Sequence, residues 1–171
     1  FEEMHRLAKV SKPDVCVITN IGTCHLENLG DRDGVYKAKT EIFDYAKDGC
    51  LVVLNGDDDK LTQVEEVKGS RPVFFGIETD QNVLVEKYHT IGVKGIETTI
   101  RYFDKTFDTV IPIPGFHMLY NAMAATCIGV HFGMTLEEID AGIRKLKAIG
   151  GRNNIFDAKG MTIIDDCYNA C

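Results

Sequence analysis

Residues 51–58 have the sequence LVVLNGDD. The apolar half, Leu51–Leu54, is a continuous hydrophobic run of the kind found in strands that are buried on both faces of a sheet. The polar half, Asn55–Asp58, ends that strand with a turn. Val15–Ile18 and residues 73–75 have the same apolar character to either side along the chain. Because helical patterns separate these strands, we predict a parallel sheet that is covered by helices.

The spacing of apolar residues predicts helices before, between and after these strands. The helix over 118–132 is apolar nearly all round, so we expect it to be well buried. Thr135 and Glu138 form a capping box for the helix that follows. Residues 20–34 are predicted to form a long loop, and a loop of that length in a compact domain is usually functional. The predicted helices cover 2–10, 35–47, 58–67, 118–132 and 136–147.

Residues 82–112 have a different pattern, in which short β-rich segments alternate with Gly or Asp-Lys turns. We predict that they form an antiparallel meander inserted beside the parallel sheet. Gly150 and Gly151 then form a hinge before a hairpin that opens a second unit. The fold class is therefore α/β, a mostly parallel sheet flanked by helices with a small antiparallel β insertion, in two domains at 1–150 and 151–171. The predicted strands are Val83–Val85, Glu97–Tyr102, Thr106–Ile111, Asn154–Phe156 and Met161–Ile164.

Composition and charge limit the classes of function. The chain has 171 residues with 44% hydrophobic content, which is enough to bury a core. Its net charge of −7 argues against non-specific binding to nucleic acid or to an anionic membrane. No apolar run approaches the roughly 18 residues that a membrane-spanning helix needs. The six cysteines form no C-x-x-C pair, and their spacing fits neither a zinc site nor a small disulfide scaffold. Because the acidic start Phe1–Met4 does not resemble a signal peptide, we expect reduced thiols and a cytoplasmic location.

Two segments near the predicted parallel strands could hold a metal ion. Thr19–Glu27 follows the carboxyl end of a strand, where open α/β sheets place their ligands, and His25 could bind a metal there. The alternative is a loop histidine that bonds a backbone carbonyl. Lys37–Phe43 lies on the next helix. A lysine that is partly buried and neutral could add carbon dioxide and become a carbamate that binds magnesium. The alternative is that both lysines of this segment are solvated.

Two later segments could contact a nucleotide. Pro114–Ala122 is a Pro-Gly turn that leads into a helix, so its backbone N–H groups could meet an anion and Asn121 could bond a base or a ribose. Arg152, beside the glycine hinge, could reach a phosphate. Asp166 could hold ribose hydroxyls or a cation. The alternatives are a plain helix start, a surface arginine and an acidic turn. The chain contains neither G-x-x-x-x-G-K-[ST] nor G-x-G-x-x-G, so a phosphate loop would have to precede Phe1.

Together these segments resemble the Mur ligases, the ATP-dependent ligases that add amino acids to the peptidoglycan precursor. The resemblance covers essentially the whole chain, with the segments in the family's order. It implies a partial central ATP-binding domain over 1–150 and the truncated start of the C-terminal ligase domain over 151–171. The matching strings are Thr19–Gly22 with His25 and Glu27, Lys37–Phe43, Pro114-Gly115-x-His117 with Asn121-Ala122-x-x-Ala125, Gly151-Arg152, and Ile163–Ala170.

The resemblance also implies cofactors and residue roles. ATP would phosphorylate a substrate carboxylate, and an amine would then attack the acyl phosphate. By analogy His25 ligates a magnesium ion, and Lys39, as a carbamate, supports that metal site. Asn121 would contact the adenine, Arg152 the γ-phosphate and Asp166 the ribose. Asn20 would lie at the strand end, beside the phosphates or the metal.

Within the family, Ile163–Ala170 and Glu27–Gly30 look most like the members that add D-alanyl-D-alanine. This implies UDP-N-acetylmuramoyl-tripeptide and D-Ala-D-Ala as substrates, with no nucleic-acid partner, no membrane insertion and a monomeric intact enzyme. The chain departs from the family pattern at Met118 and Cys171, where Asn is expected, and lacks the phosphate loop and a metal-binding carboxylate. The alternatives are another Mur ligase, a folylpolyglutamate synthetase-like ligase, or a non-catalytic domain that binds a nucleotide or a partner.

The first residue is Phe1 and the last, Cys171, comes soon after an apolar strand, so we expect a piece of a larger protein. Without the phosphate loop the 171-residue chain should neither hydrolyse ATP nor ligate. Phosphate release by the purified chain, with ATP and magnesium, measures this. Release above the no-protein blank would contradict the prediction.

Overall fold

A computed structural model of the chain describes residues 2–23, 29–78 and 80–168. Its α-helices are α1 (Glu3–Ser11), α2 (Arg32–Thr40), α3 (His117–His131) and α4 (Leu136–Ile143). Short 3₁₀ helices cover Glu41–Phe43, Leu61–Gln63 and Gly92–Lys94. The strands are β1 (Val15–Ile18), β2 (Leu51–Asn55), β3 (Val73–Gly76), β4 (Val83–Thr90), β5 (Ile96–Tyr102), β6 (Lys105–Ile111), β7 (Asn154–Ala158) and β8 (Met161–Asp165).

Strands β1 to β6 form a single six-stranded sheet in sequence order. Neighbours from β1 to β4 run parallel, and β4, β5 and β6 pair antiparallel. The predicted α/β class with its antiparallel segment is confirmed. One detail is wrong, because the antiparallel strands extend the parallel sheet and do not sit beside it. The pairs Phe75↔Val83 and Gly76↔Leu84 join the two parts, which gives the open edge of β3 a backbone partner.

Strand β2 is covered on both faces, as its apolar run predicts. Alternate residues of a strand point to opposite faces, so Val53 belongs to one hydrophobic cluster and Leu54 to the other. The cluster around Val53 contains Leu119 and Met123 of α3, both fully buried. The cluster around Leu54 contains residues of the segment after β1, of α2 and of the Leu61–Gln63 helix. The sheet is therefore sandwiched between helical layers.

The predicted helix over 58–67 is wrong. Only Leu61–Gln63 is helical, as one 3₁₀ turn. The side chain of Asp58 accepts hydrogen bonds from the backbone N–H groups of Lys60 and Leu61, at 3.0 and 3.1 Å. This local capping satisfies the first N–H groups of a turn, and Val64 is already extended. The apolar spacing in this segment comes from Leu61, Val64 and Val67, which pack in the hydrophobic cluster around Leu54 although the chain between them is irregular.

Three other predicted boundaries shift. Helix α2 begins at Arg32, inside the predicted loop, because Asp31 caps it by accepting from Gly34 N–H at 2.9 Å. It ends at Thr40, and Glu41–Phe43 continue as 3₁₀ helix, so the predicted helix over 35–47 is too long. Helix α4 keeps its predicted capping box but stops at Ile143. Residues 24–28 of the predicted loop lie outside the described residues.

Strands β7 and β8 form the predicted hairpin as a separate two-stranded sheet. Its register pairs Asn154 with Asp165 and Ala158 with Met161. The domain boundary between residues 150 and 151 stays a prediction. In the part of the chain that is described, no helix has both the length and the apolar character to cross a membrane.

Helix α3 is held on the sheet by apolar contacts, and shortening one buried side chain measures how much they stabilise the fold. Leu119→Ala should lower the free energy of unfolding by about 2–5 kcal/mol, because it leaves a cavity at a fully buried position. Leu7→Ala on α1 is the control, since that side chain is 59% exposed and should cost under about 0.5 kcal/mol. Urea unfolding followed by circular dichroism compares them. Equal costs would contradict the packing of α3.

Candidate functional site

The carboxyl ends of β1 and β2 lie side by side at one edge of the sheet, because the two strands pair in parallel with Ile18 opposite Leu54. The chain leaves β1 through Thr19–Gly22 and leaves β2 through Asn55–Asp59. We call the second segment the acidic turn. Asn55 joins the two segments, since its side-chain amide donates to the Thr19 carbonyl at 3.0 Å. Ligands of open α/β sheets bind at this kind of edge.

Lys39 and Asn20 meet at this edge. Helix α2 directs the Lys39 ammonium to the backbone carbonyl oxygen of Asn20, at 2.8 Å, and to its side-chain Oδ1, at 3.3 Å. Lys39 is partly buried, whereas Lys37 on the same helix is exposed. Of the two lysines that the sequence singles out, Lys39 therefore lies beside the strand end.

Asp58 supports the segment that carries Asn20. Its carboxylate is buried, and Oδ2 accepts from the Ile21 N–H at 2.6 Å. Arg32 also holds Ile21, because its Nε donates to the Ile21 carbonyl at 3.0 Å. The Arg32 guanidinium also pairs with Asp59 of the acidic turn, and this contact is the main cause that raises the pKa of Arg32. The loop after β1 is thus fastened to the turn after β2.

Asp57 supports the start of α3. Its Oδ2 accepts from the Ile77 N–H at 2.6 Å and from the Tyr120 hydroxyl at 3.0 Å. Burial and then the neighbouring Asp57 carboxylate raise the pKa of Tyr120 well above its usual range, so the phenol stays protonated and donates. The Tyr120 ring packs edge-on against Phe75 and Phe116, with centroids 6.4 and 6.0 Å apart.

Asn121 lies in the second turn of α3 and is exposed. Its side-chain amide is 3.5 Å from the Met118 sulfur. The Pro-Gly turn has fewer free backbone N–H groups for an anion than the sequence predicts. The Met118 N–H donates to the Gly115 carbonyl, and the Leu119 N–H donates to the Phe116 carbonyl. These two N–H groups are therefore not available to a phosphate.

The base of the β7–β8 hairpin brings Arg152 and Asp166 into one small region. Asp166 accepts from the Asn153 N–H at 3.1 Å, and Gly151 bonds Tyr168 through its carbonyl. The Arg152 guanidinium lies 4.3 Å from the centre of the Tyr168 ring, in a cation–π contact. The sequence predicts Arg152 and Asp166 as separate candidates, and the hairpin register explains why they are neighbours.

The buried cysteines are not candidates for nucleophiles or metal ligands. Burial raises the pKa of the Cys16 and Cys127 thiols to about 12, so both are protonated at neutral pH. They lie in the two hydrophobic clusters, Cys16 on β1 and Cys127 on α3. Both are free thiols, as is Cys50, the third buried cysteine of the described residues.

The predicted metal ligand His25 lies outside the described residues, as do Cys24, Leu26, Glu27 and Asn28. Within residues 2–23, 29–78 and 80–168, no group of three or more His, Cys, Asp or Glu side chains could hold a metal ion. Of the residues predicted around the metal, the structure describes Asn20 and Lys39 and brings them into contact.

Sequence reasoning missed the supporting roles of Asp58, Arg32 and Tyr120. A signal for Asp58 is present, since three consecutive aspartates, Asp57–Asp59, follow a buried strand after one glycine. The burial of Asp58 is a tertiary property, and so is the contact between Asp57 and Tyr120, which lie 63 positions apart in sequence. Local patterns give neither.

Residues 1–129 match the family described as "Mur ligase middle domain". The chain belongs to the Mur ligase family. Its relatives include the UDP-N-acetylmuramoyl-tripeptide–D-alanyl-D-alanine ligases of Bacillus subtilis (strain 168), 33% identical over 98% of this chain, and of Escherichia coli (strain K12), 32% identical over 94%. This chain spans 36% of each of these relatives, so it corresponds to about a third of a Mur ligase of that kind.

Solved Mur ligase structures have the same fold. A MurF structure from Acinetobacter baumannii superposes with a TM-score of 0.89 and 27% identity, over 98% of this chain and 37% of that one. The MurF ligase from Thermotoga maritima, solved in complex with ADP, has a TM-score of 0.86 and 29% identity, over 99% and 39%. The predicted fold and family are thereby confirmed.

The turn that presents Arg152 depends on an ionised carboxylate. Asp165 accepts from the Cys167 thiol at 3.0 Å and from the Gly151 N–H at 3.1 Å, and these bonds lower the pKa of Asp165. Because the folded pKa is depressed, the stabilisation is present above the unfolded pKa and is lost as pH falls through the folded value.

The Gly151 amide resonance should therefore titrate with a midpoint below the unfolded Asp value of about 3.9. NMR between about pH 2 and 6 measures it. Asp165→Asn is the control and should abolish this titration step. A midpoint at or above the unfolded value would contradict the hydrogen-bonded geometry.

Proposed function

We propose that this chain is the nucleotide- and metal-binding part of an ATP-dependent ligase that joins D-alanyl-D-alanine to a UDP-N-acetylmuramoyl-tripeptide. The observation that carries the proposal is the contact of Lys39 with Asn20 at the carboxyl end of β1. It occurs in a chain that is 33% identical, over 98% of its length, to a ligase with that name. The proposed reaction takes place in the cytoplasm, where ATP and UDP-linked precursors are found.

Asn20, beside Lys39, carries oxygen atoms of the kind that a magnesium ion prefers. Magnesium prefers hard oxygen ligands, and Asn20 presents both a backbone carbonyl and an amide oxygen here. When bound, the ion would neutralise phosphate charge and polarise a phosphoryl oxygen. We propose His25 and carbamylated Lys39 as its protein ligands, with Asn20 beside them.

Carbamylation would convert Lys39 from a competitor of the metal into a ligand. The neutral amine attacks carbon dioxide, the new N–C bond forms, one proton leaves, and the product is an anionic carbamate with two hard oxygens. Since Asn20 lies at hydrogen-bond distance, the remaining carbamate N–H keeps an acceptor. The partly buried place of Lys39 suits this chemistry better than that of exposed Lys37.

We propose that three further residues bind the nucleotide. Asn121 would hydrogen-bond the adenine, Asp166 the ribose hydroxyls and Arg152 the γ-phosphate. Exposed Asn121 has an amide that is free to turn from the Met118 sulfur, which is a weak acceptor. Arg152 stacks on Tyr168, which leaves the guanidinium edge for bidentate contact with a phosphate.

The proposed chemistry brings anions together, so positioning and positive charge dominate it. The tripeptide carboxylate attacks the γ-phosphorus of ATP, and the bond to ADP breaks. The amine of D-Ala-D-Ala then attacks the acyl phosphate, a tetrahedral intermediate forms, and inorganic phosphate and one proton leave as the peptide bond closes. Arg152 would stabilise the transferred phosphoryl group during the first step.

Phosphate release by the complete product of the gene that encodes this chain tests the proposal. The assay contains ATP, magnesium and the UDP-N-acetylmuramoyl-tripeptide, with or without D-Ala-D-Ala. Release should require both substrates. Release with a folate and glutamate, or with single amino acids only, would assign the chain to another ligase of this fold. No release with any pair would indicate a binding domain.

Lys39→Ala in the same protein should lower kcat by at least about 100-fold, because the carbamate oxygens are lost from the metal site. Lys37→Ala is the matched control, and its activity should stay within about twofold. Removing bicarbonate should lower wild-type activity and leave Lys39→Ala unchanged. Equal effects of the two alanine variants would contradict the role of Lys39.

A further inference from the structure

The acidic turn Asn55–Asp59 touches both halves of the proposed site. We propose that it is a positioning element, in which Asp58 fixes the metal-side segment and Asp57 fixes the nucleotide-side helix. This inference rests on the proposed function, because it assigns the two halves to metal and nucleotide. It adds Asp57, Asp58 and Tyr120, to which the sequence analysis gives no role in the site.

On the metal side, Asp58 and Lys39 bond opposite edges of one peptide group. The Asn20 carbonyl and the Ile21 N–H belong to the same planar trans unit and point in opposite directions. Asp58 Oδ2 accepts from the Ile21 N–H at 2.6 Å, and the Asn20 carbonyl accepts from Lys39 Nζ at 2.8 Å. Fixing the N–H edge therefore fixes the direction in which the carbonyl oxygen faces Lys39.

Asp58 is rigid enough for this task. Its other oxygen, Oδ1, accepts from the N–H groups of Lys60 and Leu61, at 3.0 and 3.1 Å. The residue is 9% exposed, and Ile21 is 2% exposed. A buried carboxylate with both oxygens engaged by backbone donors has one orientation, since turning it would leave a buried charge without partners.

On the nucleotide side, Asp57 fixes the rotation of α3 about its axis. The Tyr120 hydroxyl reaches across from the helix to Asp57 Oδ2 at 3.0 Å. Tyr120 directly precedes Asn121, so a turn of the helix that broke this bond would also move the Asn121 amide. Ile77 N–H donates to the same oxygen at 2.6 Å, which anchors Asp57 to the end of β3.

The turn itself is locked to the sheet. The Asn55 side chain accepts from the Asp57 N–H at 2.9 Å, and the Gly56 N–H donates to the Phe75 carbonyl at 2.7 Å. Asp57 and Asp58 are adjacent, and their side chains diverge toward α3 and toward Ile21. A displacement of the turn would therefore change the distance between the two halves.

Two variants of the complete gene product separate the halves. Asp58→Asn keeps one oxygen for the Lys60 and Leu61 N–H groups but presents an amide N–H₂ to the Ile21 N–H. We expect the magnesium concentration for half-maximal activity, at saturating ATP, to rise about tenfold, with the KM for ATP within about twofold. The ¹³C signal of a carbamate on Lys39, after labelling with ¹³C-bicarbonate, should weaken in parallel.

Tyr120→Phe removes the hydroxyl and keeps the ring. We expect the KM for ATP to rise about tenfold, with kcat and the magnesium requirement within about twofold. Tyr88→Phe is the matched control, because Tyr88 packs edge-on against the same Phe116 ring and is 47% exposed. Asp104→Asn in the exposed β5–β6 turn is the control for Asp58→Asn.

A destabilised variant away from the turn shows whether lost stability alone changes the magnesium requirement or the KM for ATP. Ile139→Ala in α4 removes a buried side chain and should lower the unfolding temperature without moving either constant. An active wild type in which Asp58→Asn and Tyr120→Phe shift both constants together, or neither, would overturn the positioning proposal alone. A wild type that neither binds ATP nor ligates would refute the proposed function, and the positioning proposal with it.

Discussion

The peptide group between Asn20 and Ile21 is held from both of its edges, and the geometry of the proposed site depends on that restraint. Asp58 accepts a hydrogen bond from the Ile21 N–H, and Lys39 donates one to the Asn20 carbonyl. The restraint is possible because β1 and β2 run parallel and in register, so that both chain segments leave the sheet at the same edge. Burial of Asp58 keeps its hydrogen bonds in place, since an unpartnered buried carboxylate would be costly, and so fixes the start of the loop after β1.

The same edge links the sheet to α3. The helix is apolar and packs on β2 and β3 through fully buried side chains, but apolar packing is non-directional and leaves some freedom of rotation. The Tyr120–Asp57 hydrogen bond supplies direction, and the edge-on rings of Phe75 and Phe116 support it. A polar bond at the end of an apolar interface is thus what orients Asn121.

Most of the fold follows from the sequence because its signals are local. The apolar runs of β1 and β2, the β-rich segments after residue 82 and the capping box at Thr135 each specify their own element. The prediction of a helix over 58–67 is wrong because the chain forms only one 3₁₀ turn there and is extended again at Val64, and apolar spacing alone does not distinguish an irregular core-facing segment from a helix. Lys39 and Asn20 were found as candidates from motifs, but the supporting roles of Asp58 and Tyr120 depend on burial and on long-range contacts.

A crystal structure of the complete gene product with an ATP analogue and magnesium would show directly how Lys39, Asn20 and the acidic turn are arranged around bound ligands. We expect a carbamate on Lys39 with an oxygen about 2.1 Å from a magnesium ion, beside Asn20, and the adenine against Asn121. We also expect that Asp58 still bonds the Ile21 N–H and that Asp57 still bonds Tyr120. A nucleotide bound elsewhere, or a bound site in which Lys39 remains an ammonium and both aspartate bonds are broken, would contradict this arrangement.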